Sequence, residues 1–167
     1  MSVAGSVATK PATGVTTDQA IVVRTSSEPT YASRGAHKLL GALDVFESLG
    51  LSVGGRRVLD AGASTGGFTD VLLRKGAREV AAVDVGYGQL VWALQSDERV
   101  HVFDRTNVRN IEADDIGGPV SLVVSDLSFI SLTVVMPALT RVCEDGGDIV
   151  LMIKPQFEVG KSNLGKN

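Results

Sequence analysis

The sequence is poor in the residues that build disulfide-rich and metal-binding proteins. It holds one cysteine, Cys143, and two histidines, His37 and His101, among 167 residues. A lone cysteine cannot form an internal disulfide, and a buried reduced thiol is what we expect of it in a cytoplasmic protein. The cysteine and histidine spacings of metal sites are missing too, so we expect no metal centre.

Long hydrophobic runs are also missing. No stretch of eighteen apolar residues occurs, and the first residues lack the charged and then apolar pattern of a secretion signal. The sequence therefore predicts no membrane span and favours a cytoplasmic location. Apolar residues nevertheless make up 44% of the chain, which is enough to bury the core of one domain.

The chain as a whole has no excess of positive charge, since its net charge is −3. The distribution is uneven. Residues 58–153 carry fourteen acidic and seven basic side chains, whereas residues 1–57 and 154–167 are each weakly basic. An acidic total does not indicate a nucleic-acid-binding protein, although Lys38 and Lys154 lie in the two basic ends.

The stretch 57–69 indicates a nucleotide-type cofactor site. Val58 to Ala61 is typical of a buried strand, a loop of small residues follows, and a helix begins near Phe68. A strand, a small-residue turn and a helix N-terminus form the arrangement by which open α/β sheets bind such cofactors. The dinucleotide pattern is not met, because Ser64 stands at the second glycine position. A nicotinamide-dependent oxidoreductase is therefore a weaker alternative.

Apolar periodicity predicts alternating strands and helices from residue 31 onward. In the first helix, residues 31–50, Ser33 is the expected N-cap and Leu49 the end of the apolar face. Pro137 predicts a kink in the last helix. The alternation predicts a Rossmann-like, doubly wound parallel α/β sheet. The expected strands are 58–61, 79–85, 100–103, 120–125 and 148–153, and the further helices are 68–75, 89–96, 110–116 and 132–141.

A polar side chain follows each predicted strand. The carboxyl ends of parallel strands meet at one sheet edge, where ligands bind. Asp84 is placed there to accept both hydroxyls of a ribose. Asp126 and Lys154 follow neighbouring strands and form either an ion pair or a proton-transfer unit. The five strand-end residues are Asp60, Asp84, Asp104, Asp126 and Lys154.

The loop Leu59–Thr69 resembles the S-adenosylmethionine loop of the FtsJ-like ribose methyltransferases. Other segments resemble one branch of them, the TlyA (hemolysin A-type) ribosomal RNA 2′-O-methyltransferases. The resemblance implies methylation of the ribose 2′-hydroxyl in ribosomal RNA, with S-adenosylmethionine as the cofactor and ribosomal RNA or a ribosomal subunit as the partner. Those segments are 33–39, 84–90, 105–107, 125–131 and 154–161.

The resemblance also implies roles for single residues. Lys38, Asp126 and Lys154 match three members of the family's Lys-Asp-Lys-Glu catalytic set. Lys154 would bind the hydroxyl and lower its pKa or take its proton, Asp126 would orient Lys154, and Lys38 would position the ribose or phosphate. Cofactor contacts are expected from Asp60, Gly62, Ser64, Gly66, Gly67, Phe68, Asp84, Asp104, Asn107 and Asp126, and RNA contacts from Arg34, His37, Lys38 and Lys161.

The family pattern further implies an N-terminal S4 RNA-binding domain, and residues 1–30 resemble its last hairpin, with strands at 7–11 and 20–24. Residues 31–167 would be the methyltransferase domain, followed in the family by two more strands and the catalytic glutamate. We therefore expect a fragment that is shortened at both ends. A cofactor- or RNA-binding fragment without turnover is the alternative, and the oligomeric state stays open.

Overall fold

The structure is a computed structural model that describes residues 2–8, 10, 12–22 and 30–159. The chain divides into two compact units, Met1–Thr30 and Tyr31–Asn167. In the first unit, β1 (Ser2–Val3) pairs antiparallel with both β2 (Ser6–Val7) and β3 (Ile21–Val22). The predicted hairpin between 7–11 and 20–24 is therefore wrong, because β1 lies between them. Membership of an S4 domain stays a prediction.

The second unit is built on a five-stranded parallel sheet. Its strand order is β6-β5-β4-β7-β8, so the predicted doubly wound parallel α/β sheet is confirmed. The chain runs outward from β4 on one side and then crosses to β7 on the other. Loops leaving β4 and β7 therefore part in opposite directions and open a crevice between them. The strands are β4 (Arg57–Ala61), β5 (Glu79–Val83), β6 (Val100–Phe103), β7 (Val120–Ser125) and β8 (Cys143–Leu151).

Helices cover both faces of this sheet. Leu59 and Ala61 pack with the last long helix on one face, whereas Val58 packs with the first two helices on the other. All of β4 is buried, including its charged residues Arg57 and Asp60. The helices are α1 (Ala36–Phe46), α2 (Gly67–Arg74), α3 (Trp92–Gln95), α4 (Leu132–Val142) and α5 (Pro155–Glu158), with 3-10 turns at Glu47–Leu49, Val108–Asn110 and Asp114–Ile116.

Several predicted boundaries are wrong. α1 begins at Ala36 rather than near residue 31, and its N-cap is Gly35 without a side-chain bond, not Ser33. Leu49 is 78% exposed, because the tighter 3-10 turn rotates it off the apolar face. The predicted helix at 110–116 is two 3-10 turns. Pro137 does lie inside α4, which matches the predicted helix to within one residue, and the kink stays a prediction.

Two kinds of feature are absent from the described part of the chain. None of its helices combines the length and apolar character that a bilayer crossing requires. None of its His, Cys, Asp and Glu side chains gather in groups of three or more that could hold a metal ion.

Candidate active site

The loop after β4 approaches the loop after β7 at Gly62. Gly62 has a φ of +91°, and a Cβ there would lie 3.3 Å from the carbonyl oxygen of Asp126 and 3.2 Å from the Leu127 side chain. Glycine therefore permits both the backbone turn and the close approach. The two loops that border the crevice are held together at this point.

Asp84, at the end of β5, fixes the shape of the first loop. Its Oδ2 accepts the backbone N–H of Ser64 at 2.8 Å, and its Oδ1 accepts the N–H of Gly86 at 2.7 Å. Asp104, just after β6, holds the loop that follows β5, because it accepts the backbone N–H of Gly88 at 2.9 Å. A carboxylate oxygen has two lone pairs, so Asp84 can still accept hydrogen bonds from a ligand.

A cavity of about 460 Å³ opens above these loops. Its charged groups are the carboxylates of Asp84 and Asp126, and much of the remaining lining is apolar. The cavity thus combines negative charge with an apolar surface. The polar lining comprises Ser64, Asp84, Gln89, Asn107, Asp126 and Ser128, and the apolar wall comprises Val85, Val108, Leu127, Phe129, Ile130 and Val135.

A second cavity, of about 300 Å³, has the opposite charge character. Lys38 and Lys154 line it, together with Ser33 and the first turn of α2 at Gly67 and Phe68. The two cavities adjoin, because four residues line both. Those shared residues are Gly62, Ser64, Asp126 and Ser128.

Asp126 binds the two lysines at this junction. Its Oδ2 accepts a hydrogen bond from Lys38 Nζ at 2.8 Å, and its Oδ1 pairs with Lys154 Nζ at 2.8 Å. The side chains of Asp126 and Lys154 are 17% and 18% exposed, so little water screens them. Burial alone would raise the pKa of Asp126, but the ammonium groups of Lys154 and Lys38 outweigh burial and lower it. Asp126 is therefore an anion at neutral pH.

The start of α1 is positioned by α2. A Cβ at Gly67 would lie 2.3 Å from Ser33 Oγ and 2.9 Å from the Ala36 nitrogen, so only glycine lets the two segments pack this closely. Asp70 of α2 accepts the backbone N–H of Ala32 at 2.8 Å. These contacts place Lys38, which is 88 residues from Asp126 in the sequence, beside that carboxylate.

Asp60 lies beneath the first loop and lines neither cavity. Its carboxyl group is fully buried, and its Oδ2 accepts the hydroxyl of Thr69 at 2.7 Å. Burial raises the pKa of Asp60 to about 7, against the lowering effect of the Thr69 hydrogen bond. The geometry therefore offers Asp60 no direct contact with a ligand in either cavity, and its predicted cofactor role would be indirect.

Other predicted residues differ in how near the cavities they lie. Gly66 and Asp104 line neither cavity, since Gly66 packs under Leu90 and Leu94 of the following segment. Arg34, just before α1, and His37, in its first turn, are exposed and also lie outside both cavities. Lys161 lies outside the described residues.

The loop after β7 contains site features that the sequence pattern did not reveal. Ser128 accepts a hydrogen bond from Lys154 Nζ at 2.7 Å. Phe129 has a φ of +64° and is 91% exposed, with its ring against that of Phe157. Glu158 accepts the Ser131 hydroxyl at 2.6 Å and the Leu132 N–H at 2.9 Å, which lowers its pKa. The local signal for this loop is a serine at every third position, at Ser125, Ser128 and Ser131.

Comparison with known protein families decides the assignment. A family model described as FtsJ-like methyltransferase matches residues 31–167, which is the whole second unit. The chain belongs to the FtsJ-like methyltransferase family. The resemblance that its motifs predict is thereby confirmed, and the nicotinamide-dependent alternative is not supported.

Relatives of this FtsJ-like chain carry ribosomal RNA methyltransferase and hemolysin names. The 16S/23S rRNA (cytidine-2′-O)-methyltransferase TlyA of Mycobacterium tuberculosis is 58% identical over 95% of this chain and 58% of that protein. Hemolysin A of Brachyspira hyodysenteriae is 42% identical over 81% of this chain and 56% of that protein. The chain thus spans little more than half the length of these relatives.

A solved structure supports the same architecture. A protein from Streptococcus thermophilus that carries the name hemolysin superposes with a TM-score of 0.79 at 47% identity. The match covers 84% of this FtsJ-like chain and 50% of that protein.

Proposed function

We propose that the chain carries the catalytic domain of an S-adenosylmethionine-dependent enzyme that methylates the ribose 2′-hydroxyl in ribosomal RNA. One observation carries the proposal: an acidic cavity and a lysine-lined cavity meet at Asp126. A methyl donor and an anionic acceptor would bind on opposite sides of that junction. Holding two reactants in line contributes on the order of 7–11 kcal/mol to such a step.

The larger cavity suits S-adenosylmethionine. That cofactor supplies an activated methyl group on a positively charged sulfur, and the carboxylates of Asp84 and Asp126 give the cavity a matching negative charge. Asp84 would accept the cofactor's ribose hydroxyls, as its remaining lone pairs allow. Asn107 adds a polar group, and the apolar wall around Val108 and Leu127 suits a flat purine.

The smaller cavity suits a ribose and its phosphate. Lys154 would hold the 2′-oxygen by an N–H and stabilise the negative charge that develops there, or take its proton as the free amine. Asp126 holds Lys154 in place, and Lys38 would contact the adjacent phosphate. The 2′-hydroxyl is the group that distinguishes RNA from DNA, so this arrangement selects RNA.

Groups around the cavities favour a single-stranded or flipped-out nucleotide. The ring of Phe129 is exposed beside the junction, where a base can stack on it. Arg34 and His37 would contact the phosphate backbone. Because the M. tuberculosis relative is named for cytidine in 16S and 23S RNA, cytidine is the nucleoside to test first. A ribosomal substrate also supports the predicted cytoplasmic location.

The test is transfer of labelled methyl from S-adenosylmethionine to purified ribosomal subunits by the 167-residue chain. We expect Lys154→Ala to lower the rate roughly 10²- to 10⁴-fold, because it removes the group that holds the 2′-oxygen. Lys75→Ala is the matched control, since Lys75 pairs with Glu47 away from both cavities. Reverse-transcription stops on the product would locate the modified nucleotide.

Calorimetric titration with S-adenosylmethionine separates the two remaining interpretations. Binding that Asp84→Ala abolishes, together with methyl transfer, supports the enzyme. Binding without transfer favours a cofactor-binding fragment, and no binding by a folded chain contradicts the proposal.

A further inference from the structure

The ammonium group of Lys154 is held from two sides. Its Nζ donates a hydrogen bond to Ser128 Oγ at 2.7 Å and lies 2.8 Å from Asp126 Oδ1. An ammonium group has three N–H donors in fixed tetrahedral directions. One of them is directed at Ser128 Oγ, whereas the 2.8 Å contact with Asp126 Oδ1 is an ion pair without hydrogen-bond geometry. N–H groups therefore remain for an oxygen in the smaller cavity, which Lys154 lines.

The ion pair with Asp126 does not by itself fix this direction. Lysine is a point charge on a flexible four-carbon stem, and its ammonium group can rotate beside a carboxylate oxygen without losing the attraction. Asp126 is also shared, because Lys38 holds its other oxygen at 2.8 Å. A second acceptor, on a different residue, fixes the orientation of the ammonium group. Ser128 is that acceptor.

The backbone around Ser128 holds its hydroxyl at the junction. The N–H of Asp126 donates to the Ala61 carbonyl at 3.3 Å, which ties the start of the loop to β4. Glu158 ties its end to α5 through Ser131 and Leu132. Between these ties, Phe129 turns outward with a positive φ while Ser128 lines both cavities.

We propose that Ser128 is a positioning residue for Lys154, which aims a remaining N–H of the lysine at the 2′-oxygen of the RNA. This inference rests on the proposed function. Ser128 acts through Lys154, so its loss should affect the rate of transfer rather than the binding of either partner. A hydroxyl that merely contacted the RNA would change the KM instead.

The first test measures the order of the ammonium group in the full chain labelled with ¹⁵N-lysine. We expect the Nζ order parameter of Lys154 to be high in the unsubstituted chain and to fall in Ser128→Ala. Ser128→Thr keeps the hydroxyl and should restore it. Lys75, on the surface beside Glu47, is the internal reference that neither variant should change.

The second test measures methyl transfer to ribosomal subunits with the same variants. Loss of one hydrogen bond to a charged donor should lower kcat about tenfold in Ser128→Ala, with the KM for the subunit and the Kd for S-adenosylmethionine unchanged. Ser128→Thr should recover kcat to within about twofold. Ser48→Ala is the control, because the Ser48 hydroxyl donates to the Val45 carbonyl in the turn after α1, and Ser48 lines neither cavity.

The two failures are distinguishable. No transfer by the unsubstituted chain would overturn the proposed function, while the order parameter would still be measurable. An order parameter that Ser128→Ala leaves unchanged would overturn the positioning role, and so would an unchanged kcat or a loss expressed only in KM.

Discussion

Asp60 is a carboxyl group placed where its charge is unfavourable. It is fully buried in β4, with one hydrogen bond from Thr69 of α2 and the like charges of Asp126 and Asp84 nearby. Its pKa rises from 3.8 to about 7 in the folded chain. Between these two values the folded state holds a proton that the unfolded state has lost. The contribution of this proton to the free energy of unfolding therefore has its full value below about pH 4, and it is lost as the pH rises to about 7.

Replacing Asp60 by asparagine should remove this pH dependence, because an amide keeps an acceptor for Thr69 without titrating. From pH 5 to pH 8, the free energy of unfolding of the unsubstituted chain should fall by about 2–3 kcal/mol relative to Asp60→Asn. Urea denaturation of both chains at each pH measures this. A stability difference that does not vary with pH would show that Asp60 stays ionised throughout.

At the scale of single elements, α4 is helical although its interior contains a proline, which disfavours a helix. Pro137 lies in the interior of α4, where it lacks the N–H that would bond to the carbonyl of Thr133. Packing of Val135 and Leu139 against the sheet holds the helix together around it. Pro137 itself is exposed, so its ring contributes little to the core.

Pro137→Ala should therefore stabilise the chain. The restored hydrogen bond and the removed clash should raise the free energy of unfolding by about 3 kcal/mol. The greater entropy of the unfolded chain lowers it by about 1 kcal/mol, so we expect a net gain of roughly 2 kcal/mol. Pro137→Gly should gain about 1 kcal/mol less. Urea midpoints at constant pH measure both. A loss of stability in Pro137→Ala would mean that curvature at this position is needed for packing.

At the scale of the whole molecule, basic side chains are concentrated at one place in the fold, although the net charge is negative. The chain is acidic overall, yet Arg34, His37 and Lys38 gather at the start of α1 beside the lysine-lined cavity. The sheet presents its carboxyl edge there, and Arg78 lies at the opposite edge, just before β5. Under the proposed function, an RNA backbone should therefore contact the carboxyl edge rather than the edge at Arg78.

The salt dependence of RNA binding tests this arrangement. In a plot of the logarithm of the binding constant against the logarithm of salt concentration, each phosphate contact makes the slope more negative by about 0.7–0.9. Arg34→Ala should reduce the slope by that amount, while Arg78→Ala should leave it unchanged. Fluorescence anisotropy with a labelled ribosomal RNA fragment between 50 and 200 mM salt would measure it; equal effects of both variants would indicate non-specific attraction.

Local patterns in the sequence determined the kinds of elements and their order. Alternation of apolar runs, glycines and strand-end acids is a short-range signal, so it predicted the five parallel strands and the loop at residues 62–66. It failed where neighbouring residues do not decide the conformation. The 110–116 segment formed 3-10 turns, and Leu49 turned to solvent. Motif resemblance supplied the roles of Lys38, Asp126 and Lys154, which stay predictions.

Only the tertiary structure decided what each of these residues contacts. The pairing of β4 with β7 brings Gly62 against Asp126 and buries Asp60, and the packing of α1 on α2 carries Lys38 to the same carboxylate. The bond between Ser128 and Lys154 joins residues 26 positions apart. Such contacts depend on strand order and helix packing across the whole chain, and a local pattern carries no information about distances of that kind.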